Sequence, residues 1–417
     1  MPPSAERSDL GVYALGQAAV DYEQRIDWHS LRGRRVNRAR DQMEQAGLDA
    51  VLVWKDENVR FLSGLRPQII QGKSALLNGC LLRRDGKMTL FLSGGEVDRV
   101  RLTMPWVEDV RPVPIMEAQG LIAGAYDAAI APAIRALELD TARIGIDEIA
   151  FAQLAEVNRT LPEVRLCDGD NVMQAARMRK DRAELAAMQE ASAIAEALTE
   201  AAIRTVAPGV REYEVVAAAM SELYRLGGEM AHLATPFVAS GERMSPPQRF
   251  ASDKVIREGD LVFIDIGAMW NGYFSDMGRV VACGKPSRRQ QEIYTAVRSS
   301  LDAAREAMRP GNTNLDVARA AVAAGEERGF GDRFLSLFIG HGVGMGANEP
   351  PYVGEQLPGA ATVTLEAGMT LAIEPLIWVP NVRGGGGVRL EDTIAVSDDG
   401  GKSLTRTAFD ESLLLSD

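Results

Sequence analysis

Four carboxylates at matched places in two similar stretches are the residues of this 417-residue chain best suited to chemistry. Asp265 follows the apolar run Leu261-Val262-Phe263-Ile264, and Glu374 follows Leu371-Ala372-Ile373. Asp276 precedes Met277 to Val281, and Glu391 precedes Asp392 to Val396. A carboxylate in an apolar strand is costly unless its charge is compensated. One such residue is often a core acid paired with an arginine or a backbone amide. Four in a matched set call for a shared counter-charge, and two divalent metal ions would supply it. His341, in Gly340-His341-Gly342-Val343-Gly344, falls between the two acidic pairs. A lone histidine is more often structural, but flanking glycines give this one backbone clearance for a ligand. The set is oxygen-rich with one nitrogen, which suits Mn, Fe, Co or Zn rather than a thiolate-seeking ion.

The elements that must position these residues come in two copies. Pro208, Gly209, Val215, Ala218, Ala219 and Gly227 recur as Pro310, Gly311, Val317, Ala320, Ala321 and Gly329, each offset by 102 residues. Pro-Gly stops one helix and the later glycine closes the next. Each copy leads to a glycine turn, an apolar strand with a carboxylate, and a second strand with another. Asp265 and Asp276 are 11 residues apart with Asn271-Gly272 between them. That spacing predicts two adjacent strands joined by a glycine turn, both carboxylates on one side. Gly384 to Gly387 lacks the Lys-Ser/Thr of a phosphate loop and reads as a flexible turn.

Upstream, Arg32 to Arg40 predicts a helix running through Met43 to Gly47, and Leu48 to Trp54 a buried strand. Asn78 to Leu82 and Met88 to Leu92 read as a hairpin about Asp85-Gly86. Glu117 to Leu137 is expected to be helical, Arg143 to Ile149 a strand, Cys167 to Asp170 a turn, and Val172 to Val206 helical. The alternation implies an α/β domain up to about Leu166. The expected division is an extension over 1–40, a first domain over 41–168 and a second over 171–417. The length allows two or three domains.

With 46 Lys plus Arg against 58 Asp plus Glu, the net charge is −12. Nucleic acid and anionic membrane surfaces are therefore not expected partners. No apolar run approaches the roughly 20 residues that cross a bilayer. Met1 to Asp9 has no apolar core, so no secretory signal is expected. Cys80, Cys167 and Cys283 form no CxxC pair, which points to a reducing cytoplasm. Only three histidines are present, His29, His232 and His341, so a site needing several imidazoles would use nearly all of them.

The strings IDIGAMWNGYFSDMGR, GHGVGMGANEPP, LEAGMTLAIEP and GVRLEDT resemble those of the pita-bread metalloenzymes. That family includes methionine aminopeptidase, Xaa-Pro aminopeptidase, prolidase and creatinase. The likeness covers roughly Met173 to Leu413, and Leu48 to Gly64 is similar to the first domain of the prolidase and creatinase branch. The resemblance implies an α/β N-terminal domain and an α+β pita-bread catalytic domain made of a duplicated half-repeat. It implies two metal ions, with Asp265 binding one bidentately and Asp276 and Glu391 bridging both. His341 and Glu374 would complete the second ion's shell. A metal-activated water would be the nucleophile, and Glu374 would shuttle its proton to the leaving nitrogen. A homodimer is implied by the two-domain branch.

The chain also departs from that pattern. The histidine that family peptidases place after Ala-Ser-Gly is matched to Pro247, and the one before Glu-x-Pro to Asn348. Those imidazoles position the peptide and stabilise the oxyanion. Asn348 would keep a hydrogen-bond donor. His232 reads as a helix-end or core histidine, with a fold back toward the site as the alternative. Trp270 reads equally as a pocket wall or a core residue. Arg389 is expected to orient Glu391 or a substrate carboxylate, or to form a structural ion pair. The expected activity is hydrolysis of an amide or other C–N bond in a small molecule or dipeptide. A lyase resembling the dimethylsulfoniopropionate lyases is the alternative, weakened because Gly346-Ala347 stand where those carry an acidic base. A scaffold on a degenerate fold ranks last, because no ligand is lost.

Overall fold

The computed structural model describes residues 26–66, 78–114, 119–355 and 361–415. Met1 to Asp9, most of the expected extension and the start of the helix expected at Glu117 lie outside the described residues. The chain divides into two compact units, Met1–Arg177 and Met178–Asp417.

The first unit is a mixed six-stranded sheet with helices. Helix α1 (Trp28–Gln45) carries Leu31, Ala39 and Met43 inward and runs straight through residue 40. Asp27 caps its start by accepting from the Ser30 N–H at 3.0 Å. The strands are β1 (Ala50–Val53), β2 (Gly79–Arg83), β3 (Met88–Ser93), β4 (Asp109–Val113), β5 (Arg143–Ile146) and β6 (Arg165–Asp168), in the order β4-β3-β2-β1-β5-β6. The β2–β3 hairpin is as the alternation predicts, and β1 pairs in parallel with β5.

One expectation is corrected in this unit. Cys167 and Asp168 belong to β6, a half-exposed edge strand parallel to β5, and edge exposure explains their polarity. The helix expected at 117–137 runs unbroken from Gln119 to Ala136, with a single π-helical turn at Tyr126–Ile130. Pro132 has no N–H to give, and the wider turn, with Ala131 N–H reaching back to Tyr126, makes room for its ring.

Where the chain passes from the first unit to the second, the segment expected as one helix is two, Asp170–Met178 and α2 (Arg182–Thr205). Asp181 caps α2 by accepting from Ala183 and Glu184 N–H groups. Between them Lys180 N–H pairs with the Gly368 carbonyl at 2.8 Å, which takes the chain out of helical geometry.

The repeat is real in three dimensions. Helices α3 (Glu212–Arg225) and α5 (Asn314–Glu327) match end for end at the same 102-residue offset, each preceded by a long helix, α2 or α4 (Arg288–Ala307). Gly209 and Gly311 adopt φ of 96° and 93°, and each donates to a carbonyl, Ile256 or Leu365, at 3.0 Å. Val215 and Ala219 are buried, as are Val317 and Ala321.

The first half contributes β7 (Met230–Ala231), β8 (Phe237–Ser240), β9 (Leu261–Asp265), β10 (Ala268–Trp270), β11 (Tyr273–Ser275) and β12 (Gly278–Ala282). The second contributes β13 (Gly340–Gly342), β14 (Glu349–Val353), β15 (Thr370–Ile373), β16 (Leu376–Trp378), β17 (Gly387–Arg389), β18 (Asp392–Ser397) and β19 (Gly400–Ser403). The sheets β12-β9-β8 and β14-β13-β15-β18-β19 meet where Gly278 and Glu391 exchange two backbone hydrogen bonds, 3.0 and 3.2 Å. Phe263, Ile293, Val297, Leu371, Ile373, Leu390 and Ile394 fill one core beneath them.

Two more expectations change here. The Asn271-Gly272 turn, with φ of 47° and 81°, joins β10 to β11 and not the strands that border the two aspartates. Asp265 ends β9, and the chain makes that hairpin before Asp276 leads into β12, the antiparallel neighbour of β9. The glycine run is not a loose turn. A Cβ on Gly387 would lie 1.8 Å from the Met244 carbonyl oxygen, and one on Gly385 2.3 Å from that of Gly241. These glycines let two backbones pack closely, and Gln290 Nε2 donates to the Gly384 carbonyl at 3.0 Å.

Candidate metal centre

Asp265, Asp276, His341, Glu374 and Glu391 all converge where the two sheets meet, each no more than 5% exposed. The pairings explain why. Asp265 lies opposite Gly278 across β9 and β12, while Glu374 and Glu391 flank the paired ends of β15 and β18. His341 is opposite Ala372 on β15. Thr393 on β18 clasps the backbone of Asp276, accepting from its N–H at 2.9 Å and donating to its carbonyl at 2.7 Å. The strand of one half thus holds a candidate ligand from the other.

The hydrogen bonds assign the imidazoles different chemistry. His341 Nδ1 is 2.9 Å from the Gly342 carbonyl, which can only accept. The neutral ring therefore carries its proton on Nδ1 and its lone pair on Nε2, 3.4 Å from Glu374 Oε1 and 3.8 Å from Asp276 Oδ2. His232 is the reverse. Its Nδ1 accepts from the Gly267 N–H at 2.6 Å, so the neutral ring presents an Nε2–H donor. That donor lies 3.4 Å from both Asp265 Oδ1 and Asp276 Oδ1. Burial lowers the His232 pKa, against the pull of Asp276, which favours this neutral form. His232 is therefore at the centre and not remote in the core, with Nε2 beside both aspartates but in no hydrogen bond to either. Nothing in its local sequence announces this, because the partner is a backbone N–H 35 residues away.

Arg389 is the other cation. Its side chain is 8% exposed, and it pairs with Asp265, with Glu374 Oε2 at 2.7 Å and with Glu391 Oε2 at 3.8 Å. The expected contact to Glu391 is thus the longest of three. Trp270 is partly buried and packs against the core of the first half. Asn348 is exposed just before β14 and, among the described residues, makes no hydrogen bond to the cluster. Neither is brought to the carboxylates.

The four carboxylates at the site ask for more cation than Arg389 and a protonated His341 supply. Burial pushes the Glu391 carboxyl well above the usual range, Asp276 and Glu374 add repulsion, and Arg389 only partly relieves it. Burial also raises Glu374, opposed by His341. Burial alone would lower His341, but the hydrogen bond to and charge of Glu374, with Asp276 behind, raise it to about 9. Asp265 Oδ1, Asp276 Oδ1 and both Glu391 carboxylate oxygens are buried without a hydrogen bond. One atom each from Asp276, His341 and Glu391 lies within 4.8 Å of the others. Unsatisfied anionic oxygens around one imidazole lone pair fit a divalent cation.

A buried ion pair that sequence reading did not find supports the centre. Lys180 Nζ meets Glu349 Oε1 at 2.9 Å with the side chains 2% and 4% exposed. Glu349 opens β14, beside the strand of His341.

The sequence profile of Metallopeptidase family M24 matches residues 186–398, and that of the Creatinase/Prolidase N-terminal domain matches residues 35–179. An Xaa-Pro dipeptidase of Pyrococcus horikoshii is 31% identical over 380 residues, 90% of this chain and 98% of that protein. The chain belongs to metallopeptidase family M24. This metallopeptidase is also 37% identical to an Xaa-Pro dipeptidase of Pyrococcus furiosus over 238 residues, 57% of its own length and 66% of the relative's. It superposes on the crystal structure of the prolidase from Pyrococcus horikoshii OT3 with a TM-score of 0.74 at 29% identity, covering 90% and 99% of the two chains. The α/β N-terminal domain and the pita-bread catalytic domain are those of this family. The metallopeptidase is accordingly a metal-dependent hydrolase. No helix among its described residues is long and apolar enough to cross a membrane.

Proposed function

We propose that this protein hydrolyses the amide bond of Xaa-Pro dipeptides with a dinuclear metal centre. The observation that carries the reading is the group of buried carboxylate oxygens without hydrogen bonds, drawn from both halves and facing the His341 lone pair. Relatives named Xaa-Pro dipeptidases support the substrate class. Asp265, Asp276 and Glu391 would hold one ion, and Asp276, His341, Glu374 and Glu391 the other. Bound there, Mn, Fe, Co or Zn supplies Lewis acidity toward water and the scissile carbonyl.

The chain's own residues do the rest. Glu374, whose carboxyl burial raises, accepts a proton and returns it to the leaving nitrogen. Arg389 fixes the carboxylates of Glu374 and Asp265. His232 offers Nε2–H at the edge of the cluster, where a developing oxyanion needs a donor. That donor answers the absence of the two usual peptidase imidazoles. All three cysteines are unbonded, which suits a cytoplasmic enzyme, and a homodimer fits the two-domain resemblance.

Purified protein loaded in turn with Mn, Fe(II), Co and Zn is expected to release proline from glycyl-proline and leucyl-proline only with metal. Failure with every metal, or acrylate release from dimethylsulfoniopropionate in place of proline release, would overturn the reading.

A further inference from the structure

The geometry points to Arg249 as the anchor for the substrate's carboxylate, set beside the metal centre by a strained turn. This rests on the dipeptidase reading and names the residue that would select a free acid. Arg249 has a φ of 64°, and the Phe250 N–H donates to the Gln248 carbonyl across it at 2.8 Å. An i-to-i+2 hydrogen bond around a positive φ is the rarer and strained kind of three-residue turn. A glycine would sit there at ease. The sequence places a long cation there instead.

The turn is held at its neighbours and not through the arginine. Gln248 N–H donates to the Arg243 carbonyl at 2.7 Å, and Met244 bridges Pro247. Phe250 bridges Phe237 and packs edge-on against its ring at 5.3 Å. Phe237 is in turn the β8 partner of Asp265. Two strand spacings, about 10 Å, therefore separate the backbone of Phe250 from that of Asp265. Arg249 is the adjacent residue along the chain.

Other arginines around it are occupied. Arg243 pairs with Glu212, and Arg389 with Asp265 and Glu374. Arg249, half-buried, has neither an ion pair nor a hydrogen bond among the described residues. Its positive charge nevertheless bears on Glu374 and Arg389. A zwitterionic substrate fits this layout, with its carboxylate on Arg249 and its scissile bond at the cluster. Arginine also suits the task because its planar fork matches a carboxylate bidentately.

The test compares glycyl-proline with glycyl-prolinamide, which lacks the carboxylate. Metal-loaded wild type is expected to favour the acid about 10- to 100-fold in kcat/KM, chiefly through KM. In Arg249→Met the preference collapses to within about threefold. Arg249→Gly collapses it equally, with a Tm no lower than wild type because the turn relaxes. Equal losses on acid and amide, no preference in the wild type, or a lower Tm in Arg249→Gly would overturn the assignment. Should the wild type cleave neither peptide, the dipeptidase reading fails and the anchor is judged by calorimetry. L-proline and dimethylsulfoniopropionate should then bind wild type at least tenfold tighter than Arg249→Met. Equal binding, or none to wild type, overturns it.

Discussion

Asp276→Asn is expected to cut kcat/KM about a thousandfold or more, some 4 kcal/mol of transition-state stabilisation. Asp276 belongs to both ligand-sized groups of the centre. It shares a ligand-sized group with His341 and Glu391 and another with His232 and Asp265. An amide of the same shape keeps the Thr393 clasp, which uses only the backbone of residue 276. The change therefore removes charge and leaves position. Its effect on stability should have opposite signs in the two metal states. Without metal, burial and Asp276 both push Glu391 upward, so removing one anion relieves repulsion and raises Tm relative to chelator-treated wild type. With metal, wild type gains Tm by mass action and the variant gains less. Metal content by mass spectrometry and melting curves with and without EDTA check both signs. Full metal content and activity in Asp276→Asn would remove this residue from the centre.

Lys180→Met should destabilise the second unit by about 3–5 kcal/mol, because it strands Glu349 in the interior without its cation. The side chains are 2% and 4% exposed, so solvent does little to screen the loss. Replacing both, Lys180→Met with Glu349→Leu, should recover most of the stability, since two apolar side chains need no mutual compensation. Denaturant unfolding of both singles and the double closes the cycle. A coupling energy near zero would show the pair to be incidental. Activity gives a second readout. Glu349 opens β14 and accepts from the Gly346 N–H at 3.2 Å, in the turn that follows His341. The single variant should lose metal affinity beyond its loss of stability.

These residues differ in how far the sequence disclosed them. An acid after Leu261 to Ile264 or after Leu371 to Ile373 is conspicuous because strand periodicity puts it where only a compensated charge can remain. The repeat was legible because helix ends are marked by Pro-Gly and by a closing glycine. His232 was not legible as a donor. Its role depends on which ring nitrogen meets the Gly267 N–H, and only the fold fixes that. Lys180 and Glu349 are 169 residues apart, and each alone reads as a surface charge. The glycines at 384–387 misled for a related reason. Flexibility in sequence and close backbone approach in the fold call for the same residue. The wider turn at Tyr126–Ile130, which makes room for Pro132, left no mark in the hydrophobic periodicity.

The exchange of hydrogen bonds between Gly278 and Glu391 has a consequence for assembly. Asp265 and Asp276 come from the first copy, and His341, Glu374 and Glu391 from the second. The group of Asp276, His341 and Glu391 draws on both copies. A nascent chain would therefore complete that group only once both copies have folded and docked. Metal held by it would report on the finished protein, and a half-made or clipped chain would lack it.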